Sequence, residues 1–143
     1  MRARLVALFA AALATACGDD SPTCGHALTC DDFALEPGFV AGSMDAVPED
    51  FPAAPGDAEL CGQATGPTVY YLTDHIDGVH SYYHDALTAA GWTTIGPVSP
   101  AGPADAGPGC ETEQGFTMGD PLVLVHVYPT RGAFSVALRN LEP

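Results

Sequence analysis

Asp77, His80 and His84 fall at spacings of three and four residues within Asp77-Gly78-Val79-His80-Ser81-Tyr82-Tyr83-His84. On a helix, such spacings align side chains along one stripe. Two imidazoles and a carboxylate on that stripe are donors suited to zinc, nickel or copper. Asp77, His80 and His84 are therefore the candidate metal ligands, and a divalent metal is the one cofactor the chain suggests. The plainer reading is a first-turn carboxylate followed by two solvated histidines. His126 shares a strand face with Leu122, Leu124 and Tyr128, where a half-buried core histidine is expected rather than a ligand. Glu111 and Glu113 stand beside a glycine-rich loop and read as a solvated loop start, not a catalytic carboxylate pair. Tyr70, Tyr71, Tyr82, Tyr83 and Trp92 could line a ligand groove, although periodicity accounts for most of them as core. The chain has no Gly-x-Ser-x-Gly, His-Glu-x-x-His, phosphate-cradling glycine loop or dinucleotide fingerprint. No catalytic residue is assigned, and a non-enzymatic protein is expected.

The elements that must position these residues are legible in the second half of the chain. Ile76, Val79, Tyr82, Tyr83, Ala86, Leu87 and Ala90 recur at steps of three and four, which predicts a helix with one apolar face. Asp74 is placed to cap its start, and Gly91 to end it in the left-handed conformation. Thr68-Val69-Tyr70-Tyr71-Leu72 is β-branched and aromatic, a first strand. Trp92–Ile95, Phe116–Met118, Leu122–Tyr128 and Phe134–Leu138 follow as further strands, the run from Leu122 being apolar on both faces and hence interior. Gly119-Asp120 suits a two-residue hairpin turn. The expected fold is α+β: one helix packed on a mostly antiparallel sheet of four to five strands, in the order β-α-β-β-β-β, over residues 60–143. Tyr82-Tyr83-His84-Asp85-Ala86-Leu87-Thr88-Ala89-Ala90-Gly91-Trp92 resembles a segment of small exported domains and is similar to helix-grip modules of outer-membrane lipoproteins. That resemblance implies a two-layer sandwich.

The N-terminus carries an address. Met1-Arg2-Ala3-Arg4 precedes an unbroken apolar run from Leu5 to Ala14, too short to span a bilayer and of signal-peptide length. Leu13-Ala14-Thr15-Ala16-Cys17 resembles the lipobox of bacterial lipoproteins, although Ala14 stands where leucine is usual. The resemblance implies a signal peptide at residues 1–16, acylation (palmitate among the chains) at Cys17, and a membrane anchor. Cysteine parity points the same way: of Cys17, Cys24, Cys30, Cys61 and Cys110, lipidating the first leaves four for two disulfides. Three pairings are possible. Chain proximity favours Cys24–Cys30 within the tether and Cys61–Cys110 within the domain.

Residues 17–59 form an acidic Pro/Gly-rich tether, in which Phe33, Leu35, Phe39 and Phe51 are the apolar side chains able to dock on the domain. As a flexible coil, about 40 residues span on the order of 35 Å. The whole chain holds four basic residues, all arginine, against 18 acidic ones, a net charge of −14. That balance excludes a basic nucleic-acid footprint. The expected protein is a lipid-anchored cell-envelope module, extracytoplasmic and on the outer rather than inner membrane, that binds a protein partner or serves a structural role. The alternative is a metal- or small-ligand-binding domain using Asp77, His80 and His84.

Overall fold

The computed structural model describes residues 24–102 and 109–141. The expectations for residues 1–16 and for Cys17 lie outside them. Seven strands form one sheet in which every neighbouring pair is antiparallel. They are β1 (Val40–Ala41), β2 (Glu59–Ala64), β3 (Thr68–Leu72), β4 (Thr93–Pro100), β5 (Thr112–Thr117), β6 (Leu122–Tyr128) and β7 (Ala133–Arg139). Their order across the sheet is β1-β2-β3-β7-β6-β5-β4. The α+β class stands, but the sheet is larger than the four to five strands expected. The two additional strands are β1 and β2, whose Val-Ala and Glu-Leu-Cys-Gly-Gln-Ala carry little β-propensity. Long-range pairing holds them in place.

Helix α2 (Val79–Ala89), entered through a 3-10 turn at Ile76–Gly78, lies on one face of the sheet. It buries Val79, Tyr83 and Leu87 against Val69, Tyr71, Phe116, Val123, Val125, Val127, Phe134, Val136 and Leu138. Side-chain alternation explains the partition. The odd positions of β3 and β6 and the even positions of β7 face the helix, and cross-strand pairs such as Val125↔Val136 and Tyr71↔Phe134 keep the pattern in register. The expected helix phase is therefore the observed one. Its end is a Schellman motif: Gly91 sits at φ 99°, with Trp92 N–H donating to Leu87 O and Gly91 N–H to Thr88 O. The start differs from expectation. No side chain caps the 3-10 turn or α2; instead the Thr73 hydroxyl accepts from His75 N–H, and Asp74 plays no capping part. The Gly119-Asp120 turn is as expected, with Gly119 at φ 79° and Met118 N–H donating to Pro121 O.

The segment expected as a tether is part of the folded unit from residue 24 onward. Residues 24–39, including the short helix α1 (Cys30–Phe33), cover the face opposite α2. Phe33 stacks on Tyr70 at 4.4 Å and joins Cys61, Ala64 and Ala133 in a second buried cluster. Residues 44–58 then pass to the helix side, where Ala46, Val47, Phe51, Ala54 and Ala58 pack against the main core. Phe51 meets the Trp92 ring edge-on at 6.3 Å. Leu35, in contrast, is 86% exposed. The central strands are thus covered on both faces, while the edge strand β4 stays exposed.

The disulfides fasten this wrapping, and their connectivity corrects the expected Cys24–Cys30 and Cys61–Cys110. Cys24 is joined to Cys110 and Cys30 to Cys61, with Cα separations of 5.3 and 5.1 Å. Chain proximity misled because Thr29 and Asp32 form a capping box that starts α1 at Cys30. The helix presents Cys30 to β2, where Cys61 is the extra residue at a bulge between Leu60 and Gly62. Gly62 is needed beside it. A Cβ there would stand 2.4 Å from Val40 O and 2.6 Å from the Phe39 ring, so only glycine lets β1 approach β2.

Candidate functional site

The Asp77–His80–His84 stripe does not assemble into a ligand set. Among the described residues, no group of three or more His, Cys, Asp or Glu is arranged to hold a metal ion. Asp77 lies in the 3-10 turn ahead of α2. His84 is exposed, and its ring lies 3.4 Å from the carboxylate of its neighbour Asp85. His80, expected on the exposed face, is half-buried: Nε2 is hydrogen-bonded to the Thr112 hydroxyl of β5 at 2.8 Å, and Nδ1 is enclosed without a partner. The helix turns His80 toward the sheet because the apolar stripe through Val79 and Tyr83 carries position 80 to its flank.

Burial holds the His80 imidazole below its ordinary value of 6.5, with His126 as a lesser cause. A histidine whose folded value is depressed binds fewer protons folded than unfolded. Its contribution to stability is complete above 6.5, falls as pH drops through 6.5, and is lost below the folded value. Wild type should therefore lose more stability on acidification from neutral pH than His80→Gln, measured as the shift in urea midpoint. Equal losses would contradict the assignment.

His126 is the half-buried strand histidine expected, but its partners were not foreseen. Its Nε2 lies 2.7 Å from Glu111 Oε1 and its Nδ1 3.2 Å from Glu113 Oε2, on the face opposite α2. Glu111 follows Cys110, so this bridge and the Cys24–Cys110 bond together anchor the loop leading into β5. The two glutamates are thus engaged rather than solvated. With both carboxylates and both imidazole nitrogens committed to one another, the cluster has the form of a structural clamp.

A cavity lies under residues 44–54. It holds about 300 Å³ and is closed by Met44, Val47, Phe51, Pro52 and Ala54 on one side and Tyr71, Tyr83 and Val136 on the other. The strap over it is held along its length. Ala46 N–H donates to Gln63 Oε1 at 2.9 Å, and the Tyr82 hydroxyl donates to Ala53 O at 2.6 Å. At its far end the Asp57 carboxylate accepts from the Thr73 hydroxyl and contacts His75 Nδ1. Hydrogen bonds from His75 and, to a lesser extent, Thr73 hold the Asp57 carboxyl below its ordinary range.

Two of the five aromatics named as groove candidates, Tyr71 and Tyr83, line this cavity. Tyr82 serves as a strap anchor and Trp92 as core, while Tyr70 lies under Phe33 on the other face. The cavity was hidden from sequence reading because one wall belongs to a segment without periodicity. Phe51 was its only signal. Comparison with protein-family models, with curated proteins and with solved structures found no match to this chain.

Proposed function

We propose that the chain is a bacterial lipoprotein: an exported, non-enzymatic binding module held at the envelope, on the outer rather than inner membrane, by acyl chains on Cys17. The observation that carries this reading is the division of the cysteines. Cys24, Cys30, Cys61 and Cys110 are committed to two disulfides, which are compatible with an oxidising, extracytoplasmic compartment. The fifth cysteine of the sequence is Cys17, at the end of a lipobox-like run. Disulfides that fasten the chain from residue 24 leave residues 18–23 as the link between anchor and domain. The helix-grip-like layout, one helix laid on an antiparallel sheet, supports a binding role, since it leaves a cleft between helix, sheet and strap.

Acylation contributes about 0.8 kcal/mol per buried methylene, so several chains make release from a membrane negligible. Wild type expressed in a bacterial host should partition into the detergent phase on temperature-induced separation, and Cys17→Ser into the aqueous phase. A wild type found in the aqueous phase would sink the lipoprotein reading.

A further inference from the structure

We infer that the cavity beneath residues 44–54 is a binding site for a small uncharged molecule with an apolar body and one hydrogen-bond acceptor. The inference deepens the binding-module reading above by assigning it a site and a ligand class. Tyr71 and Tyr83 are 6% and 1% exposed, and neither phenol oxygen is hydrogen-bonded to a described residue. A buried hydroxyl is expected to find a partner. Among the described residues, the one fully enclosed side-chain polar atom without a partner is His80 Nδ1. Both tyrosine side chains line the cavity.

Both rings are fixed. Tyr71 stacks on Phe134 at 4.9 Å, and Tyr83 meets Phe134 edge-on at 5.9 Å. Both side chains are thus held by the sheet and the helix without loop ordering, which is the preorganisation a small ligand needs. Burial pushes both phenols above their ordinary value, so each is a neutral O–H able to donate to an acceptor.

The remaining walls define the rest of the molecule. Met44, Val47, Phe51 and Val136 are apolar and match an apolar body. The mouth carries exposed Glu49, and the chain as a whole is at −14, so an anion is disfavoured. A 150 Å³ cavity takes a benzene ring, so about 300 Å³ suits a body of about a dozen non-hydrogen atoms. Met44, 42% exposed, stands at the entrance as a flexible side chain able to move aside.

The test uses the full chain carrying Cys17→Ser, so that no detergent competes for the cavity and the result is independent of acylation. Three probes of similar size are titrated by saturation-transfer NMR: acetophenone, its hydrocarbon counterpart isopropylbenzene, and benzoate. Acetophenone should bind in the submillimolar range, isopropylbenzene about tenfold more weakly, and benzoate more weakly than acetophenone. Tyr71→Phe/Tyr83→Phe should reduce acetophenone affinity about tenfold and leave isopropylbenzene unchanged. Met44→Trp, which leaves the interior intact, should weaken both. No transfer to any probe would overturn the site, even if the wild type proves to be membrane-anchored. Benzoate binding tighter than acetophenone would overturn the ligand class, and a double Phe variant with unchanged acetophenone affinity would overturn the role of the phenols.

Discussion

Reduced protein should melt about 15–25 °C below the oxidised form, because each disulfide closes a long loop. The Cys24–Cys110 bond spans a separation of 86 residues and Cys30–Cys61 one of 31. In the chain-entropy model, these correspond to about 4.6 and about 3.7 kcal/mol, values that strain and residual denatured structure reduce toward the usual 2–4. They will not add in full, since both constrain the same N-terminal segment. The locations matter beyond the loop lengths. Cys30–Cys61 lies in the cluster of Phe33, Ala64, Tyr70 and Ala133, so its loss also loosens α1 from the sheet. Cys24–Cys110 sits beside the His126–Glu111 contact, which keeps the β5 approach in place when the bond is cut. Cys30→Ala/Cys61→Ala should therefore expose residues 24–41 to proteolysis, whereas Cys24→Ala/Cys110→Ala should fray mainly residues 24–28. Unchanged melting of the reduced protein would show that the N-terminal wrapping contributes little.

Phe134→Ala should destabilise by about 3–5 kcal/mol, enough to bring a domain of this size close to its folding threshold. Phe134 is fully buried on the interior strand β7, between the stacked ring of Tyr71 and the edge of Tyr83. Val127 of β6 is its cross-strand partner on the other side. The sheet cannot close such a gap, because β7 is bonded along both edges, to β3 and to β6. The void would open beneath the two phenols that line the cavity. Phe134→Leu should recover part of the loss. Urea denaturation at neutral pH measures both, and a cost below about 1 kcal/mol for Phe134→Ala would show that the layers are loosely packed.

The parts of this fold that sequence makes legible are those whose instructions are local. The helix face through Val79, Tyr83 and Leu87, the Gly91 end and the Gly119-Asp120 turn each rest on a few adjacent residues, and each is found. What escaped depends on distant partners. Glu59–Ala64 becomes a strand because Cys61 is tied to Cys30, Gly62 admits β1, and Thr68–Leu72 pairs beside it. Its own composition does not favour a strand. Residues 44–58 have no secondary structure to announce them, so their role as a strap rests on scattered contacts from Phe51, Ala53 and Asp57. The candidate metal stripe failed for a related reason. Spacing puts His80 and His84 on neighbouring turns, but β5 offers Thr112 to His80, and among the described residues no third ligand joins them.

On the proposed reading, four cysteines serve the fold and the fifth, Cys17, serves the membrane. Peptide mapping by mass spectrometry, without reduction, on protein extracted from the membrane fraction reads all five in a single measurement. The expected fragments join Cys24 to Cys110 and Cys30 to Cys61, and the N-terminal peptide begins at Cys17 with the mass of its acyl chains. A peptide that retains Met1–Ala16, or a Cys17 linked by a disulfide to any other cysteine, would contradict it.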